Sequence, residues 1–143
     1  MINNNQKITY ILVSNGSKAN IYISNMNKHN LTLINTLESQ TARMHSYELG
    51  SKKPHGIFER NTPESRVDLR AKEEEKFIHC VAELLNKDAA TGQFQSLVLI
   101  SPSKFLGKLR RMLKKITTKS VIKEIKKDLV HMDEQNLKTY IWE

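Results

Sequence analysis

A single cysteine, Cys80, excludes an intramolecular disulfide in this chain of 143 residues and agrees with a reducing compartment. It falls among Phe77, Val81 and Leu84, where a buried thiol is expected rather than a nucleophile. Long apolar runs are also missing. The longest, at 10–13 and 97–100, fall far short of the roughly 20 residues that cross a bilayer. The polar start MINNNQK carries no signal-peptide pattern, so a cytoplasmic protein without membrane contact is expected. Aromatic residues make up only 6%, and of these only Phe58 lies near a candidate surface. Recognition of shape or backbone is therefore favoured over base stacking. With three prolines and five glycines there is no low-complexity linker, and no internal repeat is present.

Several kinds of chemistry lack their residues. Neither G-x-x-x-x-G-K-[ST] nor G-x-G-x-x-G occurs, and the Ser14, Asn15, Gly16, Ser17 turn is only superficially like a phosphate loop. The histidines His29, His45, His55, His79 and His131 have no partners at metal-ligand spacing. Glu73, Glu74 and Glu75 form a carboxylate run, but the segments read as strands carry almost no acids, which argues against two-metal nuclease chemistry. No cofactor, no metal and no catalytic residue is assigned, and an enzyme is the less favoured class.

What is present is charge of one sign in one place. The net charge is +8, yet residues 102–127 alone carry +9 and the rest of the chain −1. Such asymmetry points to an anionic partner. A length of 143 residues suits one domain, expected here over 1–143.

Alternation and turn residues organise the chain. ITYILVS reads as a strand covered on both faces, Asn15-Gly16 as a hairpin turn, and ANIYIS as a strand with Ala19, Ile21 and Ile23 inward. LTLINTLE is a third strand with Leu31, Leu33 and Leu37 in period two. A long loop is expected at 39–67, then a helix over 68–86 with Ser65-x-x-Asp68 as a capping box. SLVLIS is a buried strand, and 102–116 a second helix opened by Pro102. A last strand within 120–130 and a terminal helix within 133–143, docking Ile141 and Trp142, complete the pattern. The order βββαβαβα implies an α/β fold with antiparallel opening strands followed by β-α-β-α, the helices packed on a mixed sheet.

At 100° per residue the second helix separates its chemistry. Phe105, Leu106, Leu109, Met112, Leu113 and Ile116 share one side, while Lys104, Lys108, Arg111 and Lys115 fall within about 60° of one another. Lys114 and Arg110 flank them. Two readings stay open: a solvated face, or a cationic ridge that holds phosphate. The absence of any acid from 102 to 123 favours the ridge.

The loop contains ELGSKKPHGIFERNTPESRVD. Connections of about 20 residues are uncommon in compact domains and usually functional or disordered. Lys52, Lys53, Arg60 and Arg66 are candidates for phosphate contact there, and His55-Gly56 is either a turn or a reactive pair.

The blocks ILVSNGSKANIYI, YELGSKKPHGIF, EEEKFIHCVAELL, LVLISPSKFLGKLRRML and KDLVH resemble, in the same order, those of the bacterial family of proteins required for attachment to host cells. That family is similar to the middle domain of archaeo-eukaryotic peptide-chain release factors and of Pelota. The resemblance implies an RNase H-like, translation-machinery type of α/β domain, an RNA or ribosome partner, and a place in ribosome rescue. In release factors a loop before a long charged helix carries Gly-Gly-Gln; here residues 48–68 contain neither a Gly-Gly pair nor a glutamine. Peptidyl-tRNA hydrolysis is therefore the weaker alternative, beside a protein-interaction module, a homodimer among its forms.

Overall fold

The computed structural model describes residues 7–25, 29–39 and 63–142, the side chains of 63–68 excepted. Five strands form one mixed sheet in the order β3-β2-β1-β4-β5. They are β1 (Thr9–Ser14), β2 (Lys18–Ser24), β3 (Thr32–Glu38), β4 (Ser96–Ile100) and β5 (Val121–Ile125). β1 pairs antiparallel with β2 and parallel with β4, β2 pairs antiparallel with β3, and β5 lies parallel to β4. The helices are α1 (Pro63–Ala90), α2 (Ser103–Met112), α3 (Lys115–Ser120) and α4 (Glu134–Ile141). This is the mixed α/β arrangement expected, with one helix more than the sequence pattern indicates.

β1 lies at the centre because its whole run TYILVS is buried. Its alternation supplies two cores. On one face Tyr10 and Leu12 join Ile21, Leu97 and Leu99 beneath α1 and α2, through Phe77, Val81, Leu85, Phe105 and Leu109. On the other, Ile11 and Val13 join Tyr22, Val98 and Ile100 beneath Leu129, Val130, Leu137 and Ile141. The result is three layers, helices on both faces of the sheet. Asp133 caps α4, its side chain accepting from the Asn136 N–H at 3.0 Å. Lys123 closes the other end, donating from Nζ to the carbonyls of Tyr140 and Ile141. Ile141 and Trp142 dock as expected, and the Trp142 ring stacks on His29 with centroids 4.8 Å apart.

Several expectations need correction. α1 opens with Pro63, a residue suited to the first helical position. Part of the loop expected at 39–67 is therefore helix, and Ser65 stands inside the helix rather than at a cap. The Cys80 thiol is exposed. The buried stripe of α1 is Phe77, Ile78, Val81, Ala82, Leu85 and Ala89, and a residue one position before Val81 is turned about 100° away from it. Asn20, Tyr22 and Ser24 are buried as well as Ala19 and Ile21; the C-terminal segment packs on Tyr22, and its Val130 carbonyl accepts from Asn20. β3 is an exposed edge: a register shift skips Ile34 between the Ile21–Asn35 and Tyr22–Leu33 pairs, which breaks the period-two pattern and leaves Leu33 47% exposed.

The second helix also differs. It stops at Met112, Leu113 turns extended (φ −80°, ψ 139°), and α3 starts afresh at Lys115. The cause lies on α1. Asn86 accepts at Oδ1 from the Lys114 N–H at 2.8 Å and from the Thr117 hydroxyl at 2.7 Å, while its Nδ2 donates to the Met112 carbonyl at 3.1 Å. One amide thus satisfies groups that a helix break would leave without partners. The new phase buries Thr117 completely and leaves Ile116, expected in the core, 51% exposed.

Candidate nucleic-acid interface and the cleft beside it

α2 is fixed by Phe105, Leu106 and Leu109, all buried, with Phe105 reaching Phe77 of α1 at 6.4 Å between ring centroids. That contact decides where its cations go. Lys104 and Lys108 face the N-terminal half of α1 across a cleft of about 640 Å³. Arg111 is exposed at the far end of α2, and Lys114 and Lys115 are exposed at the break and the start of α3. The guanidinium of Arg110 donates to the Glu124 carboxylate. The expected single ridge is therefore divided: Lys104 and Lys108 line the cleft, Arg111, Lys114 and Lys115 are turned to solvent, and Arg110 is engaged with the one acid of the basic segment.

Lys52, Lys53, His55, Gly56 and Arg60 lie outside the described residues, as does the side chain of Arg66, whose backbone belongs to α1. Among the described residues no group of three His, Cys, Asp or Glu side chains is placed to hold a metal ion. Among them too, no helix is long and apolar enough to cross a membrane.

The cleft is the feature that sequence reading missed. Its floor is the β1–β2 turn Asn15, Gly16 and Ser17, and its walls are Arg70, Glu73 and Glu74 of α1 and Lys104 and Lys108 of α2. Asn15 takes the first position of the turn, its Oδ1 accepting from the N–H groups of Ser17 (2.9 Å) and Lys18 (3.0 Å), and its Nδ2 donates to Asp128. Gly16 lies against the end of the Glu74 side chain: a Cβ there would stand 2.9 Å from Glu74 Oε2, a flexible carboxylate that can swing aside. Below the turn, Ser14 and Ser101, both fully buried at the ends of β1 and β4, bring their hydroxyls to 3.3 Å. The signal that finds this site is topological: parallel β1 and β4 place the turn after one beside the helix start after the other.

A sequence model of the family described as "Protein required for attachment to host cells" matches residues 10–141. No curated protein sequence matches the chain. Among solved structures, the crystal structure of the archaeal translation termination factor aRF1 superposes with a TM-score of 0.53 at 12% identity, over 96% of this chain and 37% of that one. A structure described as an archaeal protein gives 0.50 at 12% identity, over 96% and 37%. The chain thus spans little more than a third of the structures it is similar to, and at this identity the likeness is one of fold. With nearly its whole length under the family match, the chain belongs to the family of proteins required for attachment to host cells.

Proposed function

We propose that the protein binds structured RNA, with the ribosome as the setting, through the outward cations Arg111, Lys114, Lys115 and Lys119. The observation that carries this reading is the state of those four side chains. All are exposed, and the single acid of the segment is held by Arg110. Surfaces evolved only for solubility tend to mix signs, whereas phosphate recognition uses clustered Lys and Arg to fix position without reading sequence. The fold shared with a translation termination factor agrees with a ribosomal partner, and a part in ribosome rescue follows as the setting. Hydrolysis of peptidyl-tRNA is not part of the proposal, because residues 48–68 contain no Gly-Gly-Gln. The attachment named in the family description is read as an indirect consequence.

The test is fluorescence anisotropy with labelled tRNA and ribosomal RNA fragments over a salt series, beside Arg111→Glu, Lys115→Glu. Tight, salt-sensitive binding that the variant weakens and flattens supports the reading. Unchanged RNA affinity in the variant refutes it. A second reading, a homodimer, draws on exposed Leu33 and Ile34 along the β3 edge, since open edges pair with other strands; concentration-dependent sedimentation decides it.

A further inference from the structure

We propose that the cleft between α1 and α2 is a binding site for a nucleoside phosphate. The inference does not rest on the RNA reading. It starts from six charged side chains that line one cavity, Arg70, Glu73, Glu74, Lys104, Lys108 and Asp128; Asp128 is held by the Asn15 amide, which leaves the other five. Among the described residues only two ion pairs occur, His79–Glu83 and Arg110–Glu124, and neither involves these five. Among the described residues none of the five makes a side-chain hydrogen bond either. Carboxylates of α1 and ammoniums of α2 thus face one space without closing on each other.

The composition of the walls selects the ligand. A simple anion would satisfy Lys104 and Lys108 and be repelled by Glu73 and Glu74; a simple cation would meet the reverse. An occupant must carry negative charge at one end and hydrogen-bond donors at the other. A nucleoside phosphate does, with its phosphate toward the lysines and its ribose hydroxyls or exocyclic amine toward the carboxylates. The volume, about 640 Å³, exceeds the needs of a free amino acid and lies within the 300–1,000 Å³ of ordinary small-molecule pockets.

Location supports the same choice. The cleft opens at the carboxyl ends of the parallel strands β1 and β4, where the chain leaves β1 by a hairpin to β2 and leaves β4 through α2 on the way to β5. Ligands of open α/β sheets bind in such crevices, outside the carboxyl ends where connections diverge. The first turn of α2 has no acidic residue and no side-chain cap, so its free N–H groups and dipole add to the lysines at the phosphate end.

Isothermal titration calorimetry on the full chain, with AMP, GMP, CMP and UMP against ribose 5-phosphate and inorganic phosphate, tests the proposal. A nucleoside monophosphate is expected to bind at least about tenfold tighter than inorganic phosphate, from charge-assisted bonds to the carboxylates. Lys104→Gln should weaken both by about tenfold. Glu74→Gln separates the explanations: it should weaken the nucleotide and leave inorganic phosphate equal or tighter. Both substitutions are at solvent-accessible helix positions, and circular dichroism checks that the fold persists. Absence of saturable nucleotide binding, equal affinity for phosphate and nucleotide, or tighter nucleotide binding in Glu74→Gln would each overturn the assignment. Arg111→Glu, Lys115→Glu should lose RNA and keep the nucleotide, so either proposal can fail alone.

Discussion

Replacing Asn86 with alanine tests whether one amide sets the geometry of the basic surface. The side chain makes three hydrogen bonds, to Lys114 N, Thr117 Oγ1 and Met112 O. Each is worth about 1 kcal/mol net, and a buried hydroxyl left without a partner costs about 1–3 kcal/mol. Lys114 is exposed and its N–H can return to water, but Thr117 is fully buried. The expected loss is therefore about 2–3 kcal/mol, equivalent to roughly 5–10 °C in Tm for a chain of this size. Urea unfolding at constant m-value measures it. Thr117→Val removes the hydroxyl that would be stranded, so Asn86→Ala combined with Thr117→Val should cost less than the two single changes summed, by about 1 kcal/mol. RNA affinity should fall in Asn86→Ala because Lys114 and Lys115 lose their fixed orientation. A loss of stability under about 0.5 kcal/mol, the range of ordinary surface substitutions, would refute the role given to this residue.

Alkaline pH should act through Tyr10, whose hydroxyl donates to Asp88 at 2.6 Å. Burial, with the Asp88 hydrogen bond and charge, pushes its pKa well above the ordinary 10.0. Its contribution is therefore complete below about pH 10 and is lost as pH rises beyond it; urea titrations at pH 8 and 11 should show wild type losing more stability than Tyr10→Phe. Lys123→Met should uncap α4 and cost about 1 kcal/mol, seen as faster amide exchange in residues 134–141. Asp133→Ala removes the cap at the other end of the same helix, with a loss of about 1 kcal/mol in urea unfolding.

Local pattern made the interior of the sheet legible. The unbroken apolar run of β1 announced two covered faces, and Phe105, Leu106 and Leu109 at helical spacing identified the packed side of α2. The turn at Asn15 and Gly16 was also legible, although for a different reason from the one usual in Asn-Gly hairpins. Among the described residues only His29 and Gly92 have positive φ. Gly16 is not left-handed here, and the turn is held by Asn15 Oδ1, which accepts from the N–H groups of Ser17 and Lys18. What escaped the sequence depended on partners distant in the chain. The break after Met112 is imposed by Asn86, 26 residues earlier, and no propensity within residues 102–116 announces it. The burial of Tyr22 comes from Leu129, Val130 and α4. The cleft requires the β1–β4 pairing, which alternation alone does not give.

The same distant partners divide the basic segment into groups that a charge count cannot distinguish, and the division has a measurable consequence. Lys123 is committed to the end of α4 and Arg110 to Glu124, while Lys104 and Lys108 turn toward the cleft. Of the exposed cations left, Arg111, Lys114, Lys115 and Lys119 belong to α2, α3 and the break between them and are the ones proposed for a polyanion, while Lys126 and Lys127 follow β5. Four phosphate contacts give a log–log salt slope of about −3 to −4. Arg111→Glu, Lys115→Glu should bring it to about −1 to −2, since two contacts are removed. Lys123→Met and Arg110→Gln each remove a positive charge from the same stretch of sequence and should leave the slope unchanged. If instead all of these substitutions flatten it equally per charge, RNA responds to net charge alone, and the arrangement set by Asn86 has no part in recognition.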